Sequence, residues 1–170
     1  MNPSVEWQWK PFAELAPAEL YAALAARAGV FVVEQRCVFQ DADGFDAHAW
    51  HLLGWIGSAR ERTLGAYLRL IEPGRRYREP SIGRVLTIAS QRGTGLGRAA
   101  MLEGLARSAE LYPGLSVRIA AQQRLERFYA TMGFRPASAP YEEDGILHVD
   151  MLRDPQARDG LRDAGSPNLR

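Results

Sequence analysis

The chain has 170 residues, 46% hydrophobic and 24% charged, with 21 basic side chains against 20 acidic ones and a formal net charge of +1. That composition is too apolar for a disordered chain, and the length suits one domain with its own core. The near-neutral charge excludes a strongly basic nucleic-acid binder; the single cysteine, Cys37, excludes an internal disulfide framework and a thiolate zinc site.

Taken in chain order, Val5 to Phe12 carries Trp7 and Trp9 at period two, as a half-buried strand does. Pro17 suits the first turn of a helix, and Leu20, Leu24 and Arg27 follow at helical spacing. Val30-Phe31-Val32-Val33 reads as a short second helix or a bend, and Asp41 to His48 as a polar loop. Trp50 to Gly57 and Leu64 to Ile71 read as strands joined by a turn around Arg60-Glu61-Arg62. A basic loop, Pro73 to Pro80, leads into a strand over Ser81 to Ala89.

After a glycine-rich turn, Leu102, Leu105, Ala106 and Ala109 mark the stripe of an amphipathic helix that Pro113-Gly114 stops. A strand over Leu115 to Ala121 precedes a helix with Leu125, Phe128, Tyr129 and Met132 on one face and Gly133 as its C-terminal stop. Phe134 onward and Ile146 to Leu152 supply the last strands, with Asp144-Gly145 as a turn. The order β-α-α-β-β-β-α-β-α-β-β contains a β-α-β unit, which requires parallel strands. One domain over residues 1–154 is expected, with 155–170 as a loose, flexible tail. No apolar run reaches the ~18–20 residues of a membrane span. The N-terminus lacks the basic start and apolar stretch of a secretion signal, so a cytoplasmic location is expected.

The segment Arg92-Gly93-Thr94-Gly95-Leu96-Gly97-Arg98 follows a strand and opens a helix. Alternating glycines bring backbone N–H groups close to a ligand, and the helix N-terminus adds partial positive charge, which suits a phosphate or pyrophosphate. A P-loop needs Lys-Ser/Thr after its last glycine, and the dinucleotide fingerprint needs G-x-G-x-x-G; neither fits. The spacing Arg92, Gly95, Gly97 resembles the Arg/Gln-x-x-Gly-x-Gly/Ala pyrophosphate loop of the GNAT N-acetyltransferases. Leu125 to Phe134, with Phe128-Tyr129 and then Gly133-Phe134, resembles a later motif of that family. A closer likeness, to the ElaA-like branch, rests on Val30 to Gln35, Cys37, Gln40-Asp41, Asp43 and Asp46. Tyr141 to Ile146 and His148 carry it further, so that it spans about Val5 to Arg153.

The resemblance implies a mixed α/β (α+β) fold. Its central sheet would have about seven strands, splayed at the cofactor site and flanked by about four helices. It implies transfer of the acetyl group of acetyl-CoA to a primary amine of a small molecule or peptide by direct attack. Val85, Leu86 and Thr87 would offer main-chain groups to the pantetheine arm. Arg92 and the backbone from Gly93 through Thr94, Gly95, Leu96 and Gly97 to Arg98 would cradle the pyrophosphate. Gln122 stands where many relatives carry an asparagine that meets the pantetheine. Tyr129 is the expected general acid at the leaving sulfur. The alternative on the same fold is a non-catalytic acyl-CoA sensor or interaction domain.

The base stays open, with His51 and Glu34 jointly first and His148 after them. His51 lies in an apolar strand, where a satisfied core histidine is commoner; Glu34 serves equally as a surface acid, and Asp144 is accounted for by its turn. Asp41, Asp43 and Asp46 do not match a calcium loop, because Gly44 comes too early; no metal is expected. From Glu34 to Trp50 the net charge is −3, and from Arg84 to Arg98 it is +3. This pattern suggests a cationic acceptor amine meeting an anionic cofactor. A monomer or homodimer, with no nucleic-acid or membrane partner, is expected.

Overall fold

Alternation of apolar and polar residues over two hairpins builds one half of the sheet, and a β-α-β crossover builds the other. The computed structural model describes residues 5–58 and 60–155. Strand β1 (Val5–Pro11) lies antiparallel to β2 (Ala49–Ser58), β2 to β3 (Glu61–Ile71), and β3 to β4 (Ser81–Thr87). Helix α2 (Leu96–Leu111) carries the chain to β5 (Val117–Gln122), which runs parallel to β4. Helix α1 (Pro17–Arg27) lies earlier, between β1 and β2, and α3 (Glu126–Ala130) follows β5. The sheet ends in β6 (Arg135–Pro136), β7 (Tyr141–Glu143) and β8 (Ile146–Arg153), in the order β1-β2-β3-β4-β5-β8-β6, with β7 also on β8. Among the described residues, eight strands and three α-helices thus stand where about seven and four are expected. The tail lies, from residue 156, outside the described residues.

The missing fourth helix is a π-helical segment, Ala28–Glu34, continuous with α1. Its i→i+5 geometry shows in the Gln35 N–H donating to the Val30 carbonyl at 3.2 Å. Helix α1 buries Glu19, Ala23 and Arg27 rather than a leucine stripe. Glu19 is held by Lys10 at 2.9 Å and accepts the Ala16 N–H at the helix start.

Helix α2 is also rotated from expectation. Its buried face is Leu96, Ala100, Met101, Gly104, Leu105 and Ser108, while Leu102 is 46% exposed and Ala106 and Ala109 face solvent. The cause is close approach: a methyl group on Gly104 would sit 2.9 Å from Leu68 Cδ2. The core face is built from small residues that a hydropathy pattern does not register.

Two apolar clusters cover the two faces of the sheet. One joins Leu52, Leu68, Leu70 and Ile82 to α2, β5, Tyr129, Met132 and Phe134; the other packs Leu53, Tyr67 and Leu86 against α1 and the π-helical segment. Among the described residues no helix is long and apolar enough to cross a membrane.

Candidate active-site cleft between β4 and β5

Strands β4 and β5 share a single register pair, Ser81 with Arg118, and then diverge. A bulge drives the divergence. Between the pairs Tyr67–Leu86 and Arg69–Gly83, two residues of β4, Arg84 and Val85, oppose the single Leu68. Arg84 takes the left-handed backbone this requires, at φ 55°. Beyond Ser81 the edge of β4 facing β5 has unpaired backbone groups, and a cleft of about 480 Å³ opens there. Val85, Gln122, Tyr129 and His148 line it, together with Phe31, Gln35 and Phe39. Leu86 points the other way, into the second core cluster, and its backbone is paired with Tyr67 of β3.

Tyr129 is 6% exposed, wedged edge-on against Phe128 and Phe134, with ring centroids 5.1 and 6.0 Å away. Burial pushes its phenol up to about 12, and its hydroxyl has no hydrogen-bond partner among the described residues. The group therefore keeps its proton at neutral pH. His148 stacks on Tyr141, and its Nδ1 lies 2.8 Å from the Ile146 carbonyl. That carbonyl accepts only from an Nδ1–H, so Nε2 is the basic nitrogen of the neutral ring. Gln122 bridges the cleft by donating to Gln35 Oε1 at 3.0 Å.

After β4, the turn preceding α2 takes positive φ at Gly93 (76°) and Gly95 (87°). The N–H groups from Gly93 to Arg98 make no backbone hydrogen bond among the described residues. Gly97 lets the helix start approach β4; a methyl group there would lie 3.0 Å from Thr87 Oγ1. Thr94 ties the turn to the Gln91 carbonyl at 2.8 Å, and Arg98 donates to Thr131 Oγ1 at 2.7 Å.

These features now stand beside known proteins. Residues 56–154 match the model of the acetyltransferase (GNAT) domain. The chain belongs to the GNAT acetyltransferase family. It is 42% identical to a UPF0039 protein of Synechocystis over 87% of this chain and 94% of that one. It is 38% identical to the protein ElaA of Escherichia coli over 88% and 97%. The crystal structure of E. coli ElaA superposes with a TM-score of 0.82, at 37% identity over 89% of this chain and 100% of that one. An acyl-CoA N-acyltransferase from Pseudomonas aeruginosa does so with a TM-score of 0.82, at 39% identity over 88% and 99%.

Within this GNAT fold, two of the expected base candidates lie away from the cleft. His51 is fully buried, its Nδ1 2.7 Å from the Tyr67 hydroxyl and its Nε2 3.1 Å from the Asp46 carbonyl. Burial lowers its pKa, and both ring nitrogens are engaged. It is a satisfied core histidine. Glu34 sits on the surface in a two-pronged ion pair with Arg92, at 2.5 and 2.8 Å. Those hydrogen bonds hold the carboxylate below its usual range, which makes it a poor proton acceptor. Of the expected bases, His148 is the one that lines the cleft.

The two charged segments do not face one another as separate fields either. Arg27 and Arg69 are fully buried and meet the aspartates of the 41–46 loop. Arg27 donates to Asp41 and Asp46 at 2.8 Å each, and Arg69 to Asp43 and Asp46 at 2.8 and 2.7 Å. Arg84 adds a bond to Asp41 at 2.7 Å. Three guanidinium groups thus neutralise three carboxylates, and the loop is an internal brace for the β4 bulge rather than an acidic entrance. With Arg92 also paired, the +3 of the 84–98 segment is largely spent inside the protein. The sequence signal for this brace was Arg69 itself, an arginine within the apolar run of β3, since a buried guanidinium requires acidic partners.

Proposed function

We propose that this chain is an N-acetyltransferase that moves the acetyl group of acetyl-CoA to a primary amine in the β4/β5 cleft. The observation that carries this reading is the proton-holding hydroxyl of Tyr129, without a partner among the described residues, on the cleft beside the β4 edge, with the turn of amides that opens α2 following that strand. These groups fit an acyl-CoA. The edge at Val85 and Thr87 can extend its ladder onto the amides of a pantetheine arm. The amides from Gly93 to Arg98, at a helix N-terminus, suit a pyrophosphate. Arg98 adds a full charge beside them, while Arg92 stiffens the turn through Glu34. Gln122, longer than the asparagine common in relatives, is already engaged with Gln35 and borders the arm's path.

The bound thioester supplies an activated acyl carbon. His148 Nε2 accepts a proton from the incoming amine, whose free form at a pKa near 10.4 would otherwise be scarce. A C–N bond forms as the C–S bond breaks; Tyr129 gives its proton to the departing sulfur, and the second proton shed by the nitrogen as it becomes an amide returns through solvent in the cleft to restore the phenol. A thiol leaves readily enough, with a pKa of about 8.5, that this proton accelerates the step without being indispensable.

Release of free thiol from acetyl-CoA in the presence of a panel of primary amines tests the reading. Amine-dependent release is expected, and His148→Gln should lower kcat by roughly 100-fold. Coenzyme binding by calorimetry with no release for any amine would instead mark a sensor.

A further inference from the structure

Most carboxylates that line the cleft are already engaged, and this bears on the acceptor amine. Asp43 lines the cleft, but its carboxylate is taken up. Its Oδ1 accepts from Arg69 at 2.8 Å and from the Phe45 N–H at 3.2 Å, and its Oδ2 from Arg69 and from Arg84 at 3.2 Å. Glu143 faces Arg76 at 3.6 Å. Asp144, without a guanidinium partner among the described residues, sits on the exposed rim of its turn, where water screens it. A polyvalent cationic amine would find few free carboxylates here.

Arg84 offers the opposite. Its Nε and Nη2 are committed to the Asp41 side chain, the Asp41 carbonyl and Asp43, whereas Nη1 has no partner among the described residues. The side chain is 17% exposed and borders the cleft, and Phe39 lies over the guanidinium at 5.3 Å. Its orientation is fixed in advance by the bulge and the aspartates, so little rotamer entropy remains to be lost on binding. Around it the walls are Phe39, Phe45, Ile71 and Tyr77. A fixed guanidinium donor among aromatic walls matches a carboxylate attached to an apolar body.

We infer that the acceptor is an amine that also carries a carboxylate on an apolar or aromatic body, an amino acid in class, and that Arg84 Nη1 is the donor that recognises the carboxylate. This rests on the transferase reading and narrows it. The amine nitrogen replaces sulfur on the acetyl carbon as described above, and the carboxylate stays intact in the N-acetyl product.

Matched amines test it. Thiol release from acetyl-CoA is measured with L-phenylalanine, with phenethylamine (the same body without the carboxylate) and with spermidine. The expected kcat/KM for phenylalanine exceeds that of the other two by about tenfold or more, the size of one charge-assisted hydrogen bond. Arg84→Lys keeps the positive charge but loses the fork; whatever its lost bonds to Asp41 and Asp43 cost both aromatic amines, it should raise KM for phenylalanine about tenfold more than KM for phenethylamine. Equal or better turnover of phenethylamine or spermidine by the unmodified protein overturns the inference while the transferase reading stands, and needs no variant to fold. An equal loss for both aromatic amines in a folded Arg84→Lys protein overturns the role of Arg84. Absence of release with every amine, alongside measurable acetyl-CoA binding, removes both readings.

Discussion

Tyr129 combines two properties that rarely coexist in a core tyrosine: its ring is packed edge-on against Phe128 and Phe134, and its hydroxyl has no hydrogen-bond partner among the described residues. Packing explains the position, and the free hydroxyl is what a catalytic role uses. Tyr129→Phe therefore separates the two. The ring contacts survive, so unfolding free energy should change by no more than about 0.5 kcal/mol in denaturant titrations. Turnover should fall by about ten- to 100-fold, with acetyl-CoA affinity nearly unchanged, because the lost proton matters only as sulfur departs. An unaltered rate would return Tyr129 to the core. Sequence motifs made Tyr129 visible, but they did not separate His148 from His51 or Glu34. What separates them is the Tyr67 hydroxyl that meets His51 and the Arg92 guanidinium that meets Glu34, partners that no local pattern brings to those positions.

At the level of elements, the turn before α2 was legible because its glycines perform a local task, and local tasks leave local patterns. Positive φ at Gly93 and Gly95 and tight approach at Gly97 are visible in three letters. The face of α2 was not legible, since Gly104 and Ala100 enter the core by being small, and the π-helical segment was hidden because it differs from α1 only in hydrogen-bond step. The turn yields a sharp test. Gly97→Asp places a carboxylate among amides proposed to hold phosphates, at a helix start that tolerates an acid. Circular dichroism and thermal melting should stay close to those of the parent protein, while calorimetry should show acetyl-CoA affinity reduced by about 100-fold or more through charge repulsion. Undiminished affinity would remove this turn from the binding site.

Across the whole molecule, the brace of Arg27, Arg69 and Arg84 with Asp41, Asp43 and Asp46 ties α1, β3 and β4 to one loop. Burial alone would raise the Asp43 pKa, but the hydrogen bonds and charge of Arg69 outweigh it and hold the group at about 2. An unfolded aspartate titrates near 3.9, so the folded state binds this proton more weakly. The stabilisation is fully present above about pH 4 and is lost as pH falls towards 2, amounting to about 2 kcal/mol. Denaturant midpoints measured from pH 7 to pH 2 should decline in that window. Asp43→Asn should be less stable at pH 7, because it leaves Arg69 buried and under-paired, and should decline less steeply in acid. A variant with the parent's acid slope would show that other carboxylates set it.

The lone register pair between β4 and β5 has a mechanical consequence. The backbone ladder is broken along this line, while the apolar core beneath runs on unbroken. What spans the gap is a hinge at Ser81–Arg118 and a few side-chain latches: Arg98 to Thr131, Gln35 to Gln122, and the Cys37 thiol to the Asp144 carbonyl. Each latch is worth only about 1 kcal/mol, and apolar contact resists sliding far less than a ladder does. The two halves of the sheet are thus joined like a jaw, by one backbone hinge and a few soft side-chain latches over a shared core.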